Sequence, residues 1–228
     1  MSASRQFAAI VRKDLVRELR TREMLVSMIL FVLLAMVVFH YAFSVREDVA
    51  LTYFTGGMLW VTFIFAMLLG LNRSFAQEKD EQCLDGLLLC PVDRVTIFFA
   101  KMTGNLVFLL IIQAVSVPVF TLFFIERSYA ADLGLFLLVL LLADLGICTI
   151  GTLLATISMN TRARDLLLPI VFLPLIVPVL IAATSATTAI FADGADLGDL
   201  AARLVFLLAF DAVFMVAAYG TYDFAIGE

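Results

Sequence analysis

Apolar and polar positions alternate along this chain on the scale of whole segments. Six apolar runs fall at about residues 24–43, 51–71, 103–125, 133–157, 166–191 and 204–224. Each is close to the ~20 residues that a helix needs to cross a hydrocarbon core. The first 23 residues follow a different rule. There Phe7, Ile10, Val11, Leu15 and Leu19 recur at helical spacing, while Arg5, Arg12, Lys13, Arg17, Arg20 and Arg22 occupy the other faces. This pattern predicts a basic amphipathic helix over residues 1–23, lying on an anionic membrane surface that attracts each basic residue by about 1 kcal/mol. A nucleic-acid-binding arm is disfavoured, because Asp14, Glu18 and Glu23 are interleaved and an apolar run follows directly.

The longest charged interruption is residues 72–94, NRSFAQEKDEQCLDGLLLCPVDR. Leu84, Leu87 and Leu88 stand at i, i+3 and i+4 and so share one helical face, beside acidic Glu78, Asp80, Glu81 and Asp85. Pro91 then stops the helix, having no amide to donate and disfavouring helical geometry before it. The prediction is a short amphipathic helix between spans two and three, of the kind a soluble partner can push on. An ordinary interfacial loop is the bland alternative.

Composition fixes the class: 63% hydrophobic and 15% charged residues, with a mean hydropathy of +1.07, exceed what a soluble domain of this size can bury. The expected fold is therefore an all-α integral membrane protein, a single permease-like domain over 1–228 with six transmembrane helices. The charge of −5 says little by itself. Its distribution says more: the N-terminal arm and the second and fourth loops hold twelve basic residues, against one each (Arg46, Arg127, Arg203) in the opposite loops. That bias predicts a multi-pass protein with both termini and the 72–94 segment in the cytoplasm. The densely charged start and the long run after it argue against a cleaved signal peptide.

Candidate chemistry inside the spans is sparse. Asp144 and Asp211 would each cost about 2.5–3.5 kcal/mol at a helix centre, so each should face protein or water. A proton or cation relay is one reading; a single satisfied contact between helices, with Gln113 or Lys101 as partner, is the favoured one. The small residues of ADLGICTIGTLLAT around Asp144 predict close helix packing. His40 reads as a boundary residue rather than a haem ligand, and Gly56, Gly57 and Trp60 as packing and interface anchoring. Cys83, Cys90 and Cys148 fit neither a disulfide framework nor a zinc site and read as structural. No metal site and no catalytic residue is expected. The fifth span, RARDLLLPIVFLPLIVPVLIAAT, holds Pro169, Pro174 and Pro178. Proline frees backbone carbonyls, so this span is expected to bend and to line a translocation path or act as a gate.

Together, the basic N-terminal helix, six spans, acidic leucine-bearing segment and triple-proline span resemble the CcmB family, the ABC-2 type permease subunit of the haem exporter in cytochrome c maturation. The matching residues are Arg73, Phe75, Glu78, Leu84, Leu87, Leu88 and Pro91, then Lys101, and Leu168, Pro169, Pro174 and Pro178. The resemblance implies a permease in the bacterial inner membrane, with haem as a transported substrate and no cofactor of its own. It also implies a coupling site for a separate ATPase, drawn on Arg73, Phe75, Glu78, Glu81, Leu84, Asp85, Leu87, Leu88 and Pro91. In the family that ATPase is CcmA, which binds the ATP; CcmC, CcmD and the haem chaperone CcmE complete the system, and two copies of the permease are conceivable. No GxxxxGK[ST] phosphate cradle occurs in this sequence, as a subunit without its own motor requires. Two other readings stay open: a generic ABC-2 permease for a lipid, polysaccharide or drug, and a non-transporting membrane scaffold.

Overall fold

The computed structural model describes residues 3–44, 52–80, 92–125, 132–159, 164–191 and 197–226. These residues form seven helices: α1 (Ala3–Thr21), α2 (Glu23–Ser44), α3 (Thr52–Asp80), α4 (Arg94–Phe124), α5 (Leu133–Met159), α6 (Arg164–Phe191) and α7 (Leu197–Ile226). Each of α2 to α7 contains a window long and apolar enough to cross a membrane, so the six expected spans are present.

Contacts between distant residues show that the spans alternate up and down. Glu23 at the start of α2 pairs with Arg73 near the end of α3. At the far end His40 of α2 lies against Phe123 and Phe124 of α4, and Phe136 of α5 against Phe191 of α6. Back at the first end, Phe98 of α4 meets Tyr222 of α7, with ring centroids 4.9 Å apart. The span windows of α3 and α5 are 72% and 61% buried and that of α7 only 17%, so α3 and α5 form the centre and α7 the rim.

Close packing in a bilayer gains nothing from expelling water, so it depends on shape and on hydrogen bonds between helices. The seam between α3 and α6 shows both. Gly56 lets the backbones approach so closely that a Cβ there would stand 2.7 Å from the Thr184 carbonyl oxygen. One turn along, the indole Nε1 of Trp60 donates to the hydroxyl of Thr187 at 2.9 Å. Trp60 is thus wholly buried between helices, which corrects the expectation of an interface anchor. Trp60→Phe keeps the ring and removes the donor. It should lower stability by about 1 kcal/mol, read as a drop in the thermal midpoint of purified protein.

Three boundaries differ from expectation, one of them the start of α7 at Leu197 rather than near 204. The third span begins at Arg94 rather than near 103, and its 31 residues extend roughly 46 Å at ~1.5 Å per residue, beyond a ~30 Å core. Likewise α3 continues to Asp80, so residues 72–80 prolong a span instead of starting a separate helix. Both helices are therefore longer than a bilayer core requires, and their charged ends flank residues 81–91, which lie outside the described residues.

The N-terminal helix also docks differently from its apolar pattern. Ile10, Asp14 and Glu18, at i, i+4 and i+8, form the buried face, and Phe7 and Val11 pack beside Ile10 against Val92, Ile97 and Ala100. Leu19, expected on the apolar face, is over half exposed, as is Val16. Those two remain available to lipid. A left-handed residue, Arg22 (φ 59°), turns the chain from α1 into α2. The Glu18 carboxylate accepts a hydrogen bond from the Leu25 amide at 2.9 Å. It thereby satisfies one of the four orphan amides of the α2 start and places negative charge at the positive end of the helix dipole.

Candidate functional site

At the α1 end of the bundle, charged and polar side chains gather between helices, where the sequence placed α1 on a membrane surface. Lys101 lies two turns into α4, and its Nζ donates to Asp14 Oδ2 of α1 at 2.8 Å. Both side chains are more than nine-tenths buried. Lys13 stands 3.3 Å from the other carboxylate oxygen. A small cavity between Asp14, Glu18, Ser74, Lys101 and Asn105 has about 10 Å³ of space, the size of one water. Beneath it Asn105 Nδ2 donates to the Thr152 hydroxyl of α5 at 2.9 Å. Together with the Glu18 cap and the Arg73–Glu23 pair, this polar layer ties α1, α2, α3, α4 and α5 to one another.

Of the residues expected to couple to an ATPase, Arg73 and Phe75 sit on the charged end of α3 with different surroundings. Arg73 is half exposed and paired with Glu23, whereas Phe75 is packed inside the core. Phe75 therefore supports the base of the segment and offers no surface to a partner. Glu78 belongs to the last turns of α3. Glu81, Leu84, Asp85, Leu87, Leu88 and Pro91 lie outside the described residues, as do Cys83 and Cys90.

Deeper in the bundle, Gln113 Nε2 of α4 donates to Asp144 Oδ1 of α5 at 2.8 Å, the interhelical contact expected of Asp144. Lys101 is not its partner, being held by Asp14. Asp211 of α7 packs on Gly146, where an added Cβ would come within 2.7 Å of its Oδ1. Asp144 and Gly146 are two residues apart on α5, about 200° around the helix. Asp144 therefore projects from one side of α5 toward Gln113 while Asp211 packs on the opposite side, so the two carboxylates do not face each other. His40 sits among Tyr41, Phe123 and Phe124 with ring centroids 5.0–5.9 Å away, an aromatic cluster at the boundary. Cys148 is buried and unbridged.

The triple-proline helix α6 is continuous from Arg164 to Phe191. Pro169 is half-buried, while Pro174 and Pro178 are exposed on the flank of the bundle. Each proline leaves the carbonyl four residues earlier (Asp165, Ile170 and Pro174) without its helical partner. Toward the far end this flank opens into two adjoining clefts of about 700 and 560 Å³, meeting at Ile181, Ser185 and Arg203. Pro178 lines the second.

The sequence model of the CcmB protein family matches residues 5–227. The chain belongs to the CcmB family. A curated relative, Heme exporter protein B of Rhodobacter capsulatus, is 30% identical over 126 residues, covering 55% of this chain and 56% of the relative. The chain thus spans about half the length of that relative in the alignment. Within this CcmB chain, sequence reasoning missed the inward role of Asp14 and Glu18. The spacing of Ile10, Asp14 and Glu18 was a usable signal, as was Lys101 inside an apolar helix, which in a membrane demands a carboxylate partner.

Proposed function

We propose that this chain is the membrane-spanning subunit of an ATP-driven exporter that serves haem delivery in c-type cytochrome assembly. Its membership of the CcmB family, together with the name of its relative, carries the reading. In this reading the end of the bundle bearing α1 faces the cytoplasm of a bacterial inner membrane, in keeping with the twelve-to-three distribution of basic residues. A separate ATPase, of the CcmA type, seats on residues 81–91 between the charged ends of α3 and α4. CcmC, CcmD and the chaperone CcmE are its further partners, and two copies of the permease flank the path.

The mechanism follows from what is attached to that segment. A thrust on residues 81–91 enters α4 at Arg94, two turns before Lys101. The buried Lys101–Asp14 pair passes it to α1, and the Glu18 cap passes it from α1 to the start of α2. The exposed Arg73–Glu23 pair closes the loop from α3. The prolines of α6 leave that helix short of three backbone hydrogen bonds, which lowers the cost of bending it as the bundle changes shape.

Disruption of the gene should abolish c-type cytochromes, and the wild-type chain should restore them. Leu87→Ser with Leu88→Ser should detach the ATPase in co-purification, because two buried leucines contribute about 3–6 kcal/mol between them. Unchanged cytochrome levels in the disrupted strain would reassign the chain to another ABC-2 cargo. Full retention of the ATPase by the double variant would move those leucines into the lipid interface.

A further inference from the structure

We infer that the paired clefts on the far half of α6 form a binding site for a phospholipid whose headgroup carries both a phosphate and a protonated primary amine. The lipid comes from the leaflet opposite α1. The inference does not depend on haem being the cargo, since it rests on the polarity of the groove alone.

The groove is graded along the membrane normal. At its level nearest the end of the bundle stand Asp199 and, one turn deeper along α7, Arg203. Below them the walls become apolar, from Ile181 to Val177, Pro178 and Phe206. From Ser185, beside Arg203, to Pro178 the depth is about 10 Å at 1.5 Å per residue. Ile181, Val177 and Phe206 are exposed in the chain, so the groove is open sideways, where a bilayer supplies acyl chains. A cation above an apolar slot is the arrangement that seats an anionic headgroup with its chain running inward.

The charges specify the headgroup further. In the cleft on the α3 side Arg203 is the one charged lining residue among the described residues, accompanied by Thr184, Ser185 and Thr188. The hydroxyls of Thr184 and Thr188 are themselves buried, that of Thr188 against Gly56 in the α3 seam, so recognition of a charged headgroup in this cleft falls to Arg203. Arg203 uses Nη1 to hold the Ser185 carbonyl at 3.1 Å, and Nη2 stands 3.8 Å from an Asp199 carboxylate that is 73% exposed. Such an exposed pair is weak. It leaves the guanidinium with donors for a phosphate, which it matches in geometry. Asp199, nearer to water by one turn, then faces the position of the ammonium group. A phosphate with an amine further out thus meets a cation with a carboxylate further out.

The test uses the full chain in nanodiscs containing equal fractions of phosphatidylethanolamine, phosphatidylglycerol and phosphatidylcholine, with retained lipid measured by native mass spectrometry after extraction. The wild type should retain phosphatidylethanolamine selectively. Arg203→Gln should lower retention about tenfold, and Arg203→Lys should keep part of it. Asp199→Asn, an exposed change that spares the fold, should leave phosphate binding intact and lower the preference for ethanolamine over glycerol headgroups about threefold. Ala202→Trp, which fills the slot from α7, should remove retained lipid without altering abundance. Equal retention of the three lipids, or a preference untouched by Asp199→Asn, overturns the proposal. So does efficient disulfide formation between two Ala202→Cys chains in membranes, because a second copy would then cover the groove.

Discussion

Gly56→Leu should yield no recoverable folded protein, and Gly56→Ala should destabilise the purified chain by about 1–3 kcal/mol, the cost of overpacking a closed interface. The first methyl group at this position would stand 2.5 Å from the Thr188 hydroxyl and 2.7 Å from the Thr184 carbonyl oxygen. The hydroxyl can rotate away. The carbonyl is part of α6 and can retreat only if the helix moves, which would stretch the Trp60–Thr187 hydrogen bond one turn along. No gain in hydrophobic burial offsets the loss, since the alternative environment is lipid. Gly57 is the internal control. A Cβ there meets only the Thr184 methyl at 3.7 Å, ordinary contact, so Gly57→Ala should be nearly silent in the same thermal-shift assay. Equal effects at the two positions would mean that the α3–α6 seam is looser than its geometry states.

How far the sequence reveals this architecture depends on the range of the forces involved. The six spans are legible because hydropathy acts residue by residue, and the apolar runs mark the helices to within a few positions at most ends. The end of α3 and the start of α7 are exceptions, and the start of α4 is the instructive one. Arg94 and Lys101 interrupt the hydropathy, yet the helix continues through both, because Lys101 is neutralised by Asp14, 87 residues earlier in the chain. A partner at that distance leaves no trace in a local pattern. Trp60 has the same history: a lone tryptophan suggests an interface anchor, and only a hydroxyl 127 residues later explains its burial. The small-residue stretch around Asp144 was legible, since close approach needs small side chains whichever helix arrives. In the candidate site, the prolines of α6 were legible as breaks in hydrogen bonding. The outward position of Pro174 and Pro178 was not, because a spacing of four puts those two on one face of the helix without saying how that face is oriented in the bundle.

The inward turn of Asp14 has the larger mechanistic weight, and it can be tested against the ordinary alternative that the pair merely holds the fold together. Lys101→Met leaves a carboxylate enclosed with half-exposed Lys13 beside it and Arg17 lining the same cavity. Removing one member of a buried pair costs about 3–5 kcal/mol, and Lys13 should hold the loss toward the lower end. Asp14→Leu strands the ammonium of Lys101 in the same way. The double variant Asp14→Leu, Lys101→Met removes both charges and puts apolar volume in their place, and such replacements are often neutral or stabilising. It should therefore recover most of the thermal stability lost by either single variant, as a double-mutant cycle in detergent would register. Recovery of function should not follow. Two apolar side chains pack without direction and slide past each other, whereas a buried ion pair fixes the register of α1 on α4, which the proposed transmission needs. The expected result is a double variant that inserts, retains the ATPase and resists heat, yet supports far less cytochrome c maturation than the wild type. Full maturation by that stable double variant would confine Lys101 and Asp14 to folding and send the thrust through α3 and the Arg73–Glu23 pair instead.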